Sequence, residues 1–115
     1  MDADELHDRL EGRLMSHGVY VTSLDRTESA LRITYETATP GEGVPQREIG
    51  RVLNLLLDSV AEGWEPSDVR GRVEDIDGDD RGTWRAQSEW LRAHARGDIS
   101  DVDLSQRVLD TVEDA

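Results

Sequence analysis

Leu6, Leu10 and Leu14 recur at four-residue intervals with charged residues between them, so Asp4 to Met15 is predicted to be an amphipathic helix that stops at Gly18. Two short runs of alternating character follow, from Val19 to Leu24 and from Leu31 to Glu36, with Asp25 to Ser29 as the turn. Thr37 to Val44 is a loop rich in proline and glycine, and Pro45 suits the first position of a helix reaching Ala61. Ile49, Val52, Leu53, Leu56, Leu57 and Val60 give that helix a wide apolar face, the expected centre of the core, and Gly63 ends it. Val69 to Asp75 and Thr83 to Trp90 read as a second strand pair, joined through Asp77-Gly78-Asp79-Asp80 with its Asp-Gly turn signal. On the last strand Trp84, Ala86 and Ser88 share one face, and Arg85, Gln87 and Glu89 the other. From Trp90 the pattern turns helical as far as Arg96, and Gly97 breaks it. Ser100 with Asp103 then opens a final helix whose apolar stripe is Val102, Val108, Leu109 and Val112.

The element order predicts an α+β domain, helix-hairpin-helix-hairpin-helix-helix. Its expected core is a four-stranded antiparallel sheet with helices packed mainly on one face. A chain of 115 residues has room for one core, so residues 1–115 are read as a single domain, with a C-terminal helical pair over residues 90–113 packed on it.

Composition narrows the setting. Without cysteine there is no disulfide, thiolate metal site or thiol nucleophile. No apolar run approaches the ~20 residues of a membrane span. The acidic start, Met1 to Glu5, lacks the basic-then-apolar pattern of a signal peptide, so a cytoplasmic location is expected. Formal net charge is −13, from 26 acidic residues and 13 basic ones, and every basic residue is arginine. An excess of carboxylates repels itself at low ionic strength and is screened at molar salt, which points to halophilic adaptation.

The stretch from Glu36 to Gly50, Glu-Thr-Ala-Thr-Pro-Gly-Glu-Gly-Val-Pro-Gln-Arg-Glu-Ile-Gly, resembles a segment of small acidic haloarchaeal proteins, an uncharacterised family. So does the closing pattern Glu89-Trp90-Leu91, Gly97-Asp98 and Val108 to Thr111. The resemblance implies a salt-accumulating host and one domain, and brings no catalytic residue with it.

Motifs that carry chemistry are few. Gly41-Glu42-Gly43-Val44-Pro45 lies between strand and helix, where phosphate-cradling loops sit. It lacks the lysine and hydroxyl residue of a P-loop, and Glu42 and Glu48 put negative charge where a phosphate needs donors. Asp75, Asp77 and Asp79 alternate as in a calcium loop, yet neither register places both the glycine and the closing glutamate. His7, His17 and His94 are scattered, and His17 suits a helix C-terminus through its charge. No nucleophile elbow surrounds Ser23, Ser59 or Ser88. No catalytic residue, metal site or cofactor is therefore expected.

The constellation that remains is Arg32, Arg70, Arg72 and Arg85, which strict alternation places together on the polar side of the sheet. They either pair across strands with Glu36, Glu74 and Glu89 in a salt-bridge lattice, the favoured reading, or form a surface that takes up an anionic ligand or partner. Trp84 is expected in the core, while Trp64 and Trp90 are candidates for partial exposure at an interface. Beside an enzyme whose site the residue types do not reveal, two functions stay open. The first is a non-enzymatic interaction or accessory domain with a protein partner or a second copy of itself. The other is a regulatory domain that binds a small anionic ligand or nucleotide on the arginine face. Nucleic acid is disfavoured as a partner, because the whole-protein field repels it and high salt weakens phosphate contacts.

Overall fold

The computed structural model describes residues 1–115. Helix α1 spans Ala3–Met15, with Asp2 as N-cap accepting from the Glu5 amide, and buries Leu6, Leu10 and Leu14. Strands β1 (Val19–Arg26) and β2 (Ala30–Thr37) pair antiparallel through a turn shorter than the alternation suggested, with a bulge between Val21 and Ser23. Helix α2, Gln46–Ala61, buries Ile49, Val52, Leu53 and Leu56; Pro45 is its extended N-cap (ψ 111°) rather than its first helical residue. Strands β3 (Asp68–Asp75) and β4 (Asp80–Ala86) form the second antiparallel pair. Helices α3 (Ser88–Ala95) and α4 (Asp101–Leu109) follow, and a two-residue strand β5, Glu113–Asp114, ends the order.

The sheet corrects the sequence reading. It has five strands, in spatial order β1-β2-β3-β4-β5, and is mixed, because β2 and β3 run parallel from Ala30↔Asp68 to Thr37↔Asp75. The expected four antiparallel strands are thus not what forms, and the element order closes on a strand instead of a helix pair. The cause is the length of α2. Sixteen helical residues rise about 24 Å, close to the roughly 26 Å of an eight-residue strand, so α2 carries the chain back along the whole sheet. The next strand then starts at the same end as β2, and such neighbours must be parallel. β5 pairs with Gly82 and Thr83 and covers the end of the β4 edge. Its two residues are too few for any periodicity to show.

Three further expectations change, two of them at the C-terminal end. The strand expected to reach Trp90 stops at Ala86, so Ser88, Glu89 and Trp90 belong to α3. Ser100 does cap α4, in a capping box with Asp103, yet the buried stripe is Leu104 and Val108, whereas Val102 is 71 % exposed. Trp64 is buried, not exposed at an interface.

One apolar cluster holds these elements together. It joins Leu6, Leu10 and Leu14 of α1, the inward residues of β1 to β4, the α2 face, and Leu91, Leu104 and Val108 of α3 and α4. At its centre the Trp84 indole lies across Gly71 and donates to the Tyr35 hydroxyl at 3.1 Å. Burial pushes the Tyr35 phenol well above its ordinary pKa; the Trp84 hydrogen bond opposes the shift and the nearby Glu48 charge adds to it. Folding therefore keeps a proton that the unfolded chain releases above about pH 10. Fewer protons on the unfolded state mean that stability falls as pH rises, by up to about 1.4 kcal/mol per unit. The urea midpoint is expected to fall between pH 10 and 11.5, and Tyr35→Phe to flatten that fall; an unchanged slope in the variant would assign it elsewhere.

Buried polar groups fasten the loop from 38 to 44 over one end of the core. Glu48 Oε2 accepts from Thr37 Oγ1 (2.9 Å) and Thr39 Oγ1 (2.6 Å). From β4 the Arg81 guanidinium, itself buried, donates to the Thr39 and Gly43 carbonyls, and the Val44 amide donates to Asp114. The Gly41-to-Pro45 segment is thus a closed structural loop, with Glu48 turned into its underside.

Candidate functional site: an arginine row on the open sheet face

All four helices contribute to the single core, and the other side of the sheet is left to solvent. Its outward residues include Arg32, Thr34 and Glu36 on β2, Asp68, Arg70, Arg72 and Glu74 on β3, and Thr83 and Arg85 on β4, each exposed or half-buried. The register sharpens this grouping. Arg32 lies directly beside Arg70, and Arg70 directly beside Arg85, so three guanidinium-bearing residues form one row across three adjacent strands. Neighbouring strands are about 4.8 Å apart. Asp25 on β1 is the next register partner, at the end of the row.

The expected salt-bridge lattice is largely absent. Arg72, two residues along β3, donates through Nε and Nη2 to Asp80 Oδ1 at 3.0 and 2.7 Å and lies 3.7 Å from Glu74. The hydrogen bond donated to Asp80, then the Asp80 and Glu74 charges, holds the Arg72 guanidinium above its ordinary pKa. Glu36 forms no ion pair, and Glu89 sits on α3. Arg32, Arg70 and Arg85 have neither an ion pair nor a side-chain hydrogen bond, and Asp25 is engaged by Ser23. Like charges directly opposite across strands destabilise a sheet. The row sets three such charges side by side on the surface of a chain with twice as many acids as bases.

Two depressions flank this row and share Arg70 and Arg85. One, of about 470 Å³, extends over Arg32, Thr34, Arg72 and Thr83. The other, of about 260 Å³, runs past Asp68 and Gln87 to Trp90 and Thr111. Local bonds hold this end in place. The Arg85 amide donates to Thr111 Oγ1 (2.8 Å), and the first amide of α3, on Ser88, donates to Asp68 Oδ1 (2.8 Å). Trp90 is half-buried against the core and lines the depression. Trp90, expected at the end of the strand and partly exposed, is partly exposed but on α3, because the period-2 rhythm of Trp84, Ala86, Ser88 and Trp90 continues past the end of β4.

A second basic depression, about 500 Å³, lies where α1 meets α2 and contains Arg13, His17 and Arg51. Arg13 and His17 sit at the C-terminal end of α1, where a cation complements the helix dipole, so part of this cluster has a structural cause. At the β3–β4 turn, Asp75 Oδ1 accepts from the Asp77 and Asp79 amides, and Gly78 takes a positive φ of 86°. The alternating aspartates thus build a turn. No group of three or more histidine, aspartate or glutamate side chains is arranged to hold a metal ion. No helix is long and apolar enough to cross a membrane.

The match to a family model for a domain of unknown function, DUF8159, runs over residues 1–115, the whole length of the row-bearing sheet and its helices. The chain belongs to the DUF8159 family. No curated protein and no solved structure matches this DUF8159 chain.

Proposed function

We propose that this DUF8159 chain is a non-catalytic binding domain that takes up an anionic group, a phosphate or carboxylate cluster, on the open face of its sheet. The observation that carries the reading is the row Arg32–Arg70–Arg85, three adjacent guanidinium groups without carboxylate partners in a protein of net charge −13. Guanidinium groups bind phosphate and carboxylate oxygens bidentately, and an anion bridging the row would relieve its mutual repulsion. An interaction domain working through apolar contact has less support. The exposed large apolar side chains, Met15, Tyr20, Ile76 and Val102, lie on α1, β1, the β3–β4 turn and α4 respectively. The excess of acid over base fits work in a salt-rich cytoplasm, in line with the haloarchaeal resemblance.

Calorimetric titration with pyrophosphate and with citrate tests the site. Binding is expected for the parent chain, with a loss of roughly a hundredfold or more in the Arg70→Glu, Arg85→Glu double variant, since each charge-assisted hydrogen bond contributes about 1.5–3 kcal/mol. Arg72→Gln, whose charge Asp80 already holds, is expected to lose far less. Equal affinity in parent and double variant would remove the row from any binding role.

A further inference from the structure

We infer that the anion taken up on this face is the phosphate chain of a nucleotide whose base rests on Trp90. The inference rests on the anion-site reading above and specifies the ligand. Arg70 and Arg85 line both depressions, so one molecule can lie along β3 and β4 with its two ends in different surroundings. Towards β2 arginines outnumber acids, with Arg32 completing the row beside the single carboxylate of Asp25. Towards α3 the surroundings change to the partly exposed Trp90, the Asp68 carboxylate and the Gln87 amide. From Arg85 across β3 to Arg32 the row covers two strand spacings, about 10 Å, room for a diphosphate.

The chemistry of each end fits one half of such a molecule. Aromatic faces stack on nucleobases whatever their sequence. One Asp68 oxygen is held by the Ser88 amide, leaving the other to accept from an amino, imino or ribose hydroxyl group. That carboxylate repels phosphate, which orients the phosphate chain towards the arginines. A mononucleotide is favoured over a nucleic-acid strand because repulsion from the whole protein, net −13, grows with the length of a polyanion.

Three tryptophans make the test direct. Trp64 and Trp84 are buried and Trp90 is not, so a stacked base quenches the fluorescence of Trp90. ADP is expected to quench and to bind at least about tenfold tighter than pyrophosphate, the ratio a single base stack supplies. Trp90→Leu, and Trp90→Ala if it folds, should abolish both the quenching and the preference for ADP. If pyrophosphate binds and the base adds neither affinity nor quenching, the nucleotide inference falls and the anion site stands. If neither ligand binds, both fall. An oligoadenylate that binds far more tightly per phosphate than ADP would also overturn the inference, in favour of single-stranded nucleic acid.

Discussion

Gly71→Ala is expected to destabilise the fold by about 3 kcal/mol or more, a large part of the 5–15 kcal/mol that holds a domain of this size. Gly71 faces the core between Val69 and Val73, and the Trp84 indole occupies the space a side chain would take. A Cβ built there falls far inside van der Waals contact of the ring, against Cε2 and Nε1 and 2.7 Å from Cζ2. The ring has no room to yield, being fully buried and bonded to Tyr35. Relief requires β3 and β4 to part, and their register is what aligns Arg70 with Arg85. Stability and anion binding should therefore fall together. Gly12→Ala, with nothing within 4 Å of the new carbon and a helical position on α1, is the contrasting control and should stabilise slightly. Urea unfolding of both variants checks this; a Gly71→Ala midpoint close to the parent's would show that the Trp84 packing is not tight.

The second large effect is on salt dependence. Most of the 26 carboxylates form no ion pair, so at 0.1 M salt, where the Debye length is about 10 Å, they repel across the surface. At molar salt that length shrinks to about 3 Å and the repulsion is lost within a side chain's reach. Relief of roughly 2 kcal/mol raises Tm by about 10 °C in a domain of this length. Thermal unfolding followed by circular dichroism from 0.1 to 2 M KCl should show that rise. A flat or falling curve would mean that the acids are already balanced within the fold, and would remove the case for adaptation to salt.

Hydrophobic periodicity located the helices and the first four strands because each buries one face of a regular element. Leu6, Leu10 and Leu14 on α1 and the inward residues of β2 and β3 are where that logic is strongest. Periodicity carries no sign for strand direction, since Leu31 and Ile33 alternate with Arg32 in the same way beside a parallel or an antiparallel neighbour. Direction came from the span of α2, a length argument. Val102 illustrates a different limit: at the start of α4 it fits an apolar stripe on paper, yet the helix turns Leu104 and Val108 inward and leaves it in solvent. The four arginines were legible as a face, because alternation is local. Their pairing was not. Which of them meets a carboxylate depends on cross-strand register and on where β4 ends, and both are tertiary facts: Asp80 claims Arg72, while the early end of β4 removes Glu89 from the lattice.

The most direct test of the arginine row is a titration of the 15N-labelled chain with pyrophosphate, followed by amide and guanidinium shifts. Saturable changes centred on Arg32, Arg70 and Arg85, fading towards α1, are the predicted result. Changes centred on Arg13, His17 and Arg51, or none at millimolar ligand, would contradict it.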